Sequence, residues 1–338
     1  MIPFAKGHGL GNDYIVINRA DLPSPLTPRQ IEKICDRNWG VGSDGILLLV
    51  PAWAGADFGL RIFNPDGSEA EKSGNGLRIF AKYLHDHGHA RRPTFTVDTL
   101  GGRVECQCHV ADGRVNEVTV EMGRCTFVAP EIPMNGPERE VVKVPLQVGP
   151  ETLLVTAVSV GNPHCVVFTD TLDEKEVRRL GPLIEHHPAF PNRINVQFAK
   201  IASHAAIDIM IWERGAGWTL ASGSSSSAVA CAAVKNGLCD HGRVTVRMPG
   251  GTLHIDVRPD WSIRLQGPVE EVYTGTCARD FMDALGRYPP CPAPRPRGSP
   301  PSSRSWCWSW RRSWSRRWAP SAGAARRQAP PRRSAGGS

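Results

Sequence analysis

An internal duplication constrains the fold of this 338-residue chain more than any other feature of its sequence. A Gly-Asn turn that begins at Gly11 recurs 150 residues later at Gly161, and a Ser-Gly turn at Ser73 recurs 149 residues later at Ser222. Two independent motifs that keep one spacing predict two similar lobes, each with one copy of the same site element. The alternative is chance recurrence among turns that are rich in Gly, Ser and Asn.

The spacing of apolar residues predicts the architecture of each lobe. Residues 76–87 and 226–236 follow the two Ser-Gly turns with the pattern of a buried helix, and Thr27-Pro28 predicts the start of a further helix over 27–38. We therefore predict an α+β fold of two pseudo-symmetric lobes, over 1–130 and 131–286, each a curved, mainly antiparallel sheet around one helix. The predicted strands are 14–18, 45–50, 59–63, 94–99, 115–122, 141–148, 153–160, 165–168, 194–198, 206–211, 244–248 and 252–257.

The charge of the chain is concentrated at its C-terminus. Residues 287–338 contain 12 arginines and no acidic residue, which leaves 28 basic against 33 acidic residues before them. This segment predicts a disordered, low-complexity tail rich in Arg, Pro, Trp and Ser, although its Trp/Arg pattern is also compatible with binding to membranes or nucleic acid. The acidic body gives no reason to expect a nucleic-acid or membrane partner, and without a visible signal segment or long apolar run we expect a cytoplasmic protein.

The ten cysteines predict neither disulfides nor a metal site. Cys106 and Cys108 are one residue apart, and no second close pair follows them. We expect buried, reduced thiols, with Cys231 facing the interior from the second predicted helix.

The position of each repeated serine indicates its chemistry. A helix N-terminus presents unpaired N–H groups and a partial positive charge, which together suit a carboxylate. Two such turns that share a cleft could hold one substrate carboxylate and place Ser73 and Ser222 on opposite faces of the adjacent carbon, as a two-base racemase or epimerase requires. Serine is also a preferred helix cap, so a purely structural role stays open at this point.

Several motifs with glycine, asparagine and charged residues recur along residues 2–286. They are Lys6-Gly-His-Gly-Leu-Gly-Asn-Asp-Tyr14, Gly40-Val-Gly-Ser-Asp44, Phe63-Asn-Pro-Asp-Gly-Ser-Glu69, Ser73-Gly-Asn-Gly76, Gly161-Asn-Pro-His164, Asn195 and Glu213-Arg-Gly-Ala-Gly217. Together these motifs resemble those of the diaminopimelate epimerase family. The resemblance implies an enzyme that interconverts the L,L and meso forms of 2,6-diaminopimelate without a cofactor or a metal, and a fold of two lobes with barrel-like sheets around central helices.

The resemblance implies roles for individual residues and a homodimer that acts on diaminopimelate. It assigns catalysis to Ser73 and Ser222, with His164 and Glu213 tuning the neighbouring base. The substrate-binding residues that it implies are Asn12, Asn64, Gly74, Asn75, Asn162, Asn195, Glu213, Arg214, Gly223 and Ser224.

The chain departs from the family pattern at the reacting end. Both catalytic positions are cysteine in the family and serine here, Trp218 replaces a usual glutamate, and Gly45 stands where a glutamine is common. An alkanol is a much weaker acid than a thiol, so three hypotheses remain. The chain is an epimerase that uses its serines, a related isomerase with a carboxylate base such as Asp66 or Glu69, or a diaminopimelate-binding protein that has lost catalysis.

Overall fold

The duplication predicted from the sequence is visible in the two central helices. The computed structural model describes residues 1–287. Helix α2 spans Gly74–Asp86 and helix α4 spans Gly223–Lys235, so both contain 13 residues and are separated by 149 positions at each end. Ten residues of α2 and eleven of α4 are buried. The predicted buried helices are confirmed, and each begins a few residues earlier than the apolar spacing indicates.

Eighteen strands and three further helices complete the described chain. The helices are α1 (Pro28–Cys35), α3 (Glu174–Glu185) and α5 (Arg279–Gly286). The strands of the first half are β1 (Pro3–Gly9), β2 (Asn12–Asn18), β3 (Ile46–Val50), β4 (Phe58–Phe63), β5 (Glu69–Ala70), β6 (Thr94–Thr99), β7 (Gly102–Ala111) and β8 (Arg114–Arg124). Those of the second half are β9 (Val144–Val148), β10 (Glu151–Ser159), β11 (Pro163–Phe168), β12 (Asn195–Ser203), β13 (Ala206–Glu213), β14 (Gly217–Thr219), β15 (Gly242–Met248), β16 (Gly251–Val257), β17 (Ser262–Pro268) and β18 (Glu270–Thr276).

Strand pairing repeats between the halves and is mainly antiparallel. The parallel pairs β2–β3 and β4–β6 of the first half correspond to the parallel pairs β11–β12 and β13–β15 of the second. The other strand pairs among the described residues are antiparallel. The predicted α+β fold of two pseudo-symmetric lobes around central helices is therefore confirmed.

Two strands of the second half pair with strands of the first half. Strand β17 pairs with β8 of the first half, and β18 pairs with β1. Helix α5 contributes Leu285 to the same apolar cluster as Ile31 and Ile34 of α1. The last strands and helix of the range 131–286 thus pack on the first half, and the lobe boundary at residue 130 stays a prediction.

Further sequence predictions have mixed outcomes. Helix α1 starts behind the predicted cap, with Thr27 and Gln30 forming a capping box, but it ends at Cys35, three residues before the predicted end. Cys231 is fully buried in α4, as predicted, and the eight cysteines of the described chain are free and buried. Over residues 1–287, no helix is long and apolar enough to cross a membrane. The predicted disordered tail, with Cys291 and Cys307, lies outside the described residues.

Candidate active site

The N-termini of the two central helices meet at one place in the molecule. Ser73 and Ser222 are their N-caps, both with extended backbone, and each side chain accepts a hydrogen bond from the first turn, from Gly76 N at 3.0 Å and from Ser225 N at 3.4 Å. A Cβ built on Gly223 would lie 3.9 Å from the Cα of Gly74. The two Ser-Gly turns therefore face each other directly.

An open cleft of about 950 Å³ surrounds this meeting point. Both serines line it, together with eight of the ten predicted binding residues, which are Asn12, Gly74, Asn75, Asn162, Glu213, Arg214, Gly223 and Ser224. Because the first N–H groups of a helix have no intrahelical partner, the amides of α2 and α4 at this point have the chemistry that an anion requires, with contributions from both halves.

The two serines have different neighbours. The Ser73 hydroxyl lies 3.4 Å from the hydroxyl of Tyr14, whose pKa is raised by burial, so the phenol is neutral. The Ser222 hydroxyl lies 3.4 Å from that of Ser224, and the carboxyl group of Glu213, which accepts from the Thr219 hydroxyl at 3.4 Å, lines the same cleft. Burial raises the pKa of Glu213, although the neighbouring hydroxyls of Ser222 and Thr219 oppose that shift. A phenol thus flanks one serine and a carboxyl group flanks the other.

Asparagines form a network beside the first turn. The side-chain amide of Asn75 donates to Asn12 Oδ1 at 3.1 Å, and Asn12 Nδ2 donates to Asp44 Oδ2 at 2.9 Å. These bonds fix the orientation of both amides at the cleft wall. Sequence reasoning missed Asp44 and Tyr14 as site residues, although both stand in motifs that carry the family resemblance.

Two predicted binding residues do not line the cleft. Asn195 is buried, donates to Pro163 O at 2.8 Å and accepts from Arg214 N at 3.0 Å, so it holds the backbone that presents Arg214. Asn64 donates to the hydroxyl of Ser68 at 2.9 Å in the loop after β4. In this structure Asn195 supports the site from behind, and Asn64 forms a turn.

His164 also lies behind the cleft wall and is fully buried. Its Nδ1 accepts from Gln197 at 3.0 Å and its Nε2 donates to Asn162 Oδ1 at 3.0 Å. Burial lowers the pKa of His164 to about 3, so the ring is neutral at physiological pH. The structure places His164 behind Asn162 and away from the surface of the cleft, and its catalytic role stays a prediction.

Gln197 connects this histidine to the second helix. Its side-chain amide also donates to the hydroxyl of Ser225, in the first turn of α4, at 3.0 Å. A continuous chain of hydrogen bonds thus runs from α4 through Gln197 and His164 to Asn162. The sequence signal that could have identified it is its place in the predicted strand 194–198, where Asn195 and Gln197 alternate with apolar residues and a buried polar side chain needs a partner.

The carboxylates proposed for a related isomerase lie elsewhere. Asp66 accepts from the hydroxyl of Ser68, and Glu69 forms a two-point ion pair with Arg61 at 2.7 Å. Neither lines the cleft, so the structure contradicts a role for them as its base. The carboxylates that do line it are Asp44, Glu71, Glu121 and Glu213.

Two departures from the family pattern have a structural explanation. At Gly45, a Cβ would lie 2.4 Å from Phe63 O and 2.8 Å from the Tyr14 ring, so no larger residue fits there without movement of the backbone. Trp218 faces helix α3, where the guanidinium of Arg178 lies 5.0 Å from its ring centroid.

Among residues 1–287, no group of three His, Cys, Asp or Glu side chains could hold a metal ion.

Solved structures with the same fold include racemases and isomerases. A probable proline racemase from Agrobacterium radiobacter superposes with a TM-score of 0.62 at 18% identity, covering 84% of this chain and 95% of the other. A phenazine biosynthesis protein from Bacillus anthracis superposes with a TM-score of 0.57 at 15% identity, covering 82% and 99%. These similarities define the class of fold, in which two lobes bring two helix N-termini to one cleft.

Sequence similarity identifies the family within that class. The family model described as diaminopimelate epimerase matches residues 4–128 and 156–275. Diaminopimelate epimerase 2 of Nostoc sp. strain PCC 7120 is 50% identical over 82% of this chain and 96% of its own length. Diaminopimelate epimerase of Pelotomaculum thermopropionicum is 44% identical over 80% and 97%. The chain belongs to the diaminopimelate epimerase family.

Proposed function

We propose that this protein interconverts L,L- and meso-2,6-diaminopimelate by moving the α-proton across the cleft between Ser73 and Ser222. The observation that carries the proposal is the meeting of Gly74 and Gly223, which places two helix N-termini and two hydroxyls around one small volume. The family relationship supports the substrate and the isomerase activity.

The substrate carboxylate next to the reacting carbon binds to the amides of both first turns, at Gly74 and Asn75 and at Gly223 and Ser224. These amides also stabilise the charge that develops on that carboxylate when the α-carbon loses its proton. At the far end of the substrate, Arg214 is suited to the distal carboxylate, and Asn162 supplies a neutral donor and acceptor.

Proton transfer uses one serine on each face of the α-carbon. One hydroxyl oxygen takes the α-proton while its own proton passes to a neighbouring group, which for Ser222 is the carboxylate of Glu213. The other serine, Ser73, gives its hydroxyl proton to the opposite face of the α-carbon and takes a proton from water in the open cleft. Glu213 returns its proton to that water, so one proton leaves the substrate, one enters it and no alkoxide remains. Glu213 compensates in part for the weak acidity of an alkanol, because it accepts a proton in a site where burial has raised its pKa.

The test is incubation of L,L-diaminopimelate with the protein in heavy water. We expect deuterium at the α-carbon and formation of the meso isomer, both abolished in Ser73→Ala and Ser222→Ala. No exchange and no meso product at high protein concentration would contradict the proposal.

A second candidate is a binding protein of the same specificity without turnover. It is favoured by the capping bonds of Ser73 and Ser222, since a serine that only caps its helix needs no further role. Calorimetry that shows tight diaminopimelate binding, together with zero exchange and with turnover restored by Ser73→Cys plus Ser222→Cys, would establish this candidate instead.

The wider context follows from the same proposal. We place the reaction in the cytoplasm, in lysine and peptidoglycan precursor biosynthesis, without a cofactor and without nucleic-acid or membrane partners. We also propose a homodimer, supported by the exposed side chains of Val272 and Tyr273 on β18, which are 51% and 43% accessible. Light scattering at several concentrations tests the dimer, and a monomer throughout would contradict it.

A further inference from the structure

A buried arginine lies directly beneath the first turn of helix α2. Arg78 is fully buried, and it forms no ion pair among residues 1–287. Its Nη1 donates to Gly74 O at 3.3 Å, its Nε donates to Pro268 O at 3.3 Å, and its Nη2 has no hydrogen-bond partner among the described residues. Burying a cation without a counter-charge is costly, so its retention calls for a role.

The surrounding backbone is shaped to admit this side chain. A Cβ on Gly9, in β1, would lie 2.7 Å from Arg78 Nη2, and a Cβ on Gly267, in β17, would lie 3.4 Å from its Nε. The guanidinium thus occupies a space between two glycines from different strands. Burial lowers the pKa of Arg78 to about 10, which leaves it positively charged at neutral pH.

The duplicated site has no such cation in its other half. Position 78 corresponds to Ser227 at the spacing of 149, and the Ser227 hydroxyl donates to Gly223 O at 2.9 Å, just as Arg78 donates to Gly74 O. Each helix therefore ties the carbonyl of its first glycine to the side chain four residues later, but only α2 does so with a charge.

We propose that Arg78 is a positioning residue whose buried cation raises the electrostatic potential at Ser73, which makes the two halves of the active site unequal. The charge lies at the first turn of α2 itself, because the side chain points back towards the helix N-terminus and Arg78 Nη1 lies 3.3 Å from Gly74 O. It adds to the partial positive charge of the helix N-terminus in a site that is poorly screened by water. The Ser73 side is accordingly the half that better stabilises a negative charge.

A thiol placed at position 73 reports this potential without any need for turnover. The pKa of the thiol introduced by Ser73→Cys is obtained from the pH dependence of its alkylation by iodoacetamide, read by mass spectrometry of the peptide that contains it. We expect Arg78→Gln to raise the pKa of this thiol by about one unit, a roughly ten-fold loss of thiolate at neutral pH, and Arg78→Lys to restore most of it. Three other charged residues, Lys72, Asp44 and Glu213, line the same cleft. They are the same in all variants, so their contributions to the thiol pKa cancel when the variants are compared.

The second half of the site supplies the matched control. In Ser222→Cys, the same Arg78→Gln change should shift the thiol pKa by less than it does at position 73, because the cation lies on α2. An unchanged thiol pKa at position 73 in a folded Arg78→Gln protein, or equal shifts with Gln and Lys, would overturn the proposal. If Arg78→Gln does not fold, Arg78→Met, which keeps the length and apolar stem of the side chain without its charge, replaces it in both backgrounds, and the same outcomes support or overturn the proposal.

The effect of Arg78 on catalysis depends on the proposed function, but its effect on the potential at Ser73 does not. The thiol titration contains no substrate, so a failure to epimerise diaminopimelate and a failure of Arg78 to raise the potential at position 73 are separate results.

Discussion

Gly223 faces Gly74 so closely that a Cβ added to Gly223 would lie 3.9 Å from the Gly74 Cα and 3.0 Å from Leu265 Cδ1. The proposed carboxylate site is bounded by the backbone of these two glycines. A Cβ at Gly74 would lie 3.4 Å from Met122 Sδ, so a side chain at either glycine would press on the apolar residues beneath the two turns.

Gly223→Ala should lower diaminopimelate affinity at least about ten-fold, because the methyl group would lie 3.0 Å from Leu265 Cδ1 and would displace the first turn of α4, at a cost on the order of 1–2 kcal/mol. Isothermal calorimetry measures the affinity, and thermal unfolding checks the fold. Gly286→Ala is the matched control, since a Cβ there meets nothing within 4 Å and lies at the end of α5. Equal affinities for both variants would show that the carboxylate binds elsewhere.

Replacing both serines by cysteine should raise turnover by about 10² or more, because a thiolate forms far more readily than an alkoxide near neutral pH. The measurement is the rate of deuterium incorporation at the α-carbon. Ser73→Ala plus Ser222→Ala keeps the size of the site without a proton-transferring group and should show no exchange. A double-cysteine variant that is no faster than the native chain would mean that the serines are not the proton-transfer groups.

Glu213→Gln should be more stable than the native chain at pH 7 and less active. Since the folded pKa of Glu213 is raised above its ordinary value of 4.5, the folded state holds this proton more tightly than the unfolded state does. The contribution of Glu213 to the free energy of unfolding is therefore greatest below about pH 4.5, and it is lost as the pH rises through the folded pKa. Melting temperatures at pH 4 and pH 7 test this, and the advantage of the variant should appear only at the higher pH.

The buried histidine should make the native chain sensitive to acid. Its pKa falls from 6.5 to about 3 on folding, so the unfolded state binds more protons between these values. The stabilising contribution is fully present above pH 6.5 and is lost as pH falls toward 3. We expect the melting temperature of the native chain to fall more steeply over this interval than that of His164→Gln, and parallel slopes would contradict a neutral buried ring.

Much of the fold could be predicted from local pattern, for identifiable reasons. The apolar spacing after Ser73 and Ser222 marks two buried helices, and period-two alternation marks strands such as β6, whose observed bounds agree with the prediction. Helix α3 was missed, although Asp173 caps it and two glutamates follow in its first turn. Strand β1 was also missed, because three of its seven residues are glycine or proline and resemble a loop.

The candidate site was predicted less completely. Motif positions indicated ten residues that line the cleft, including Ser73 and Ser222, but the same argument included Asn64, Asn195 and His164, which do not. A motif indicates that a residue type is needed at a position, but it does not indicate the direction in which the side chain points. Gln197 and Tyr14 became visible only through their partners, His164 at 3.0 Å and Ser73 at 3.4 Å.

By itself, the sequence determined the duplication, the two capped central helices and the family to which the chain belongs. Each of these depends on the local spacing and composition of residues, which can be read directly from the sequence. Only the tertiary structure decided that Gly74 meets Gly223, that His164 lies behind the wall of the cleft and that Arg78 is buried without a counter-charge. These relationships depend on the pairings β8–β17 and β1–β18, which join residues more than 130 positions apart. Neither periodicity nor spacing specifies such long-range pairings, because they are set by the packing of the whole chain.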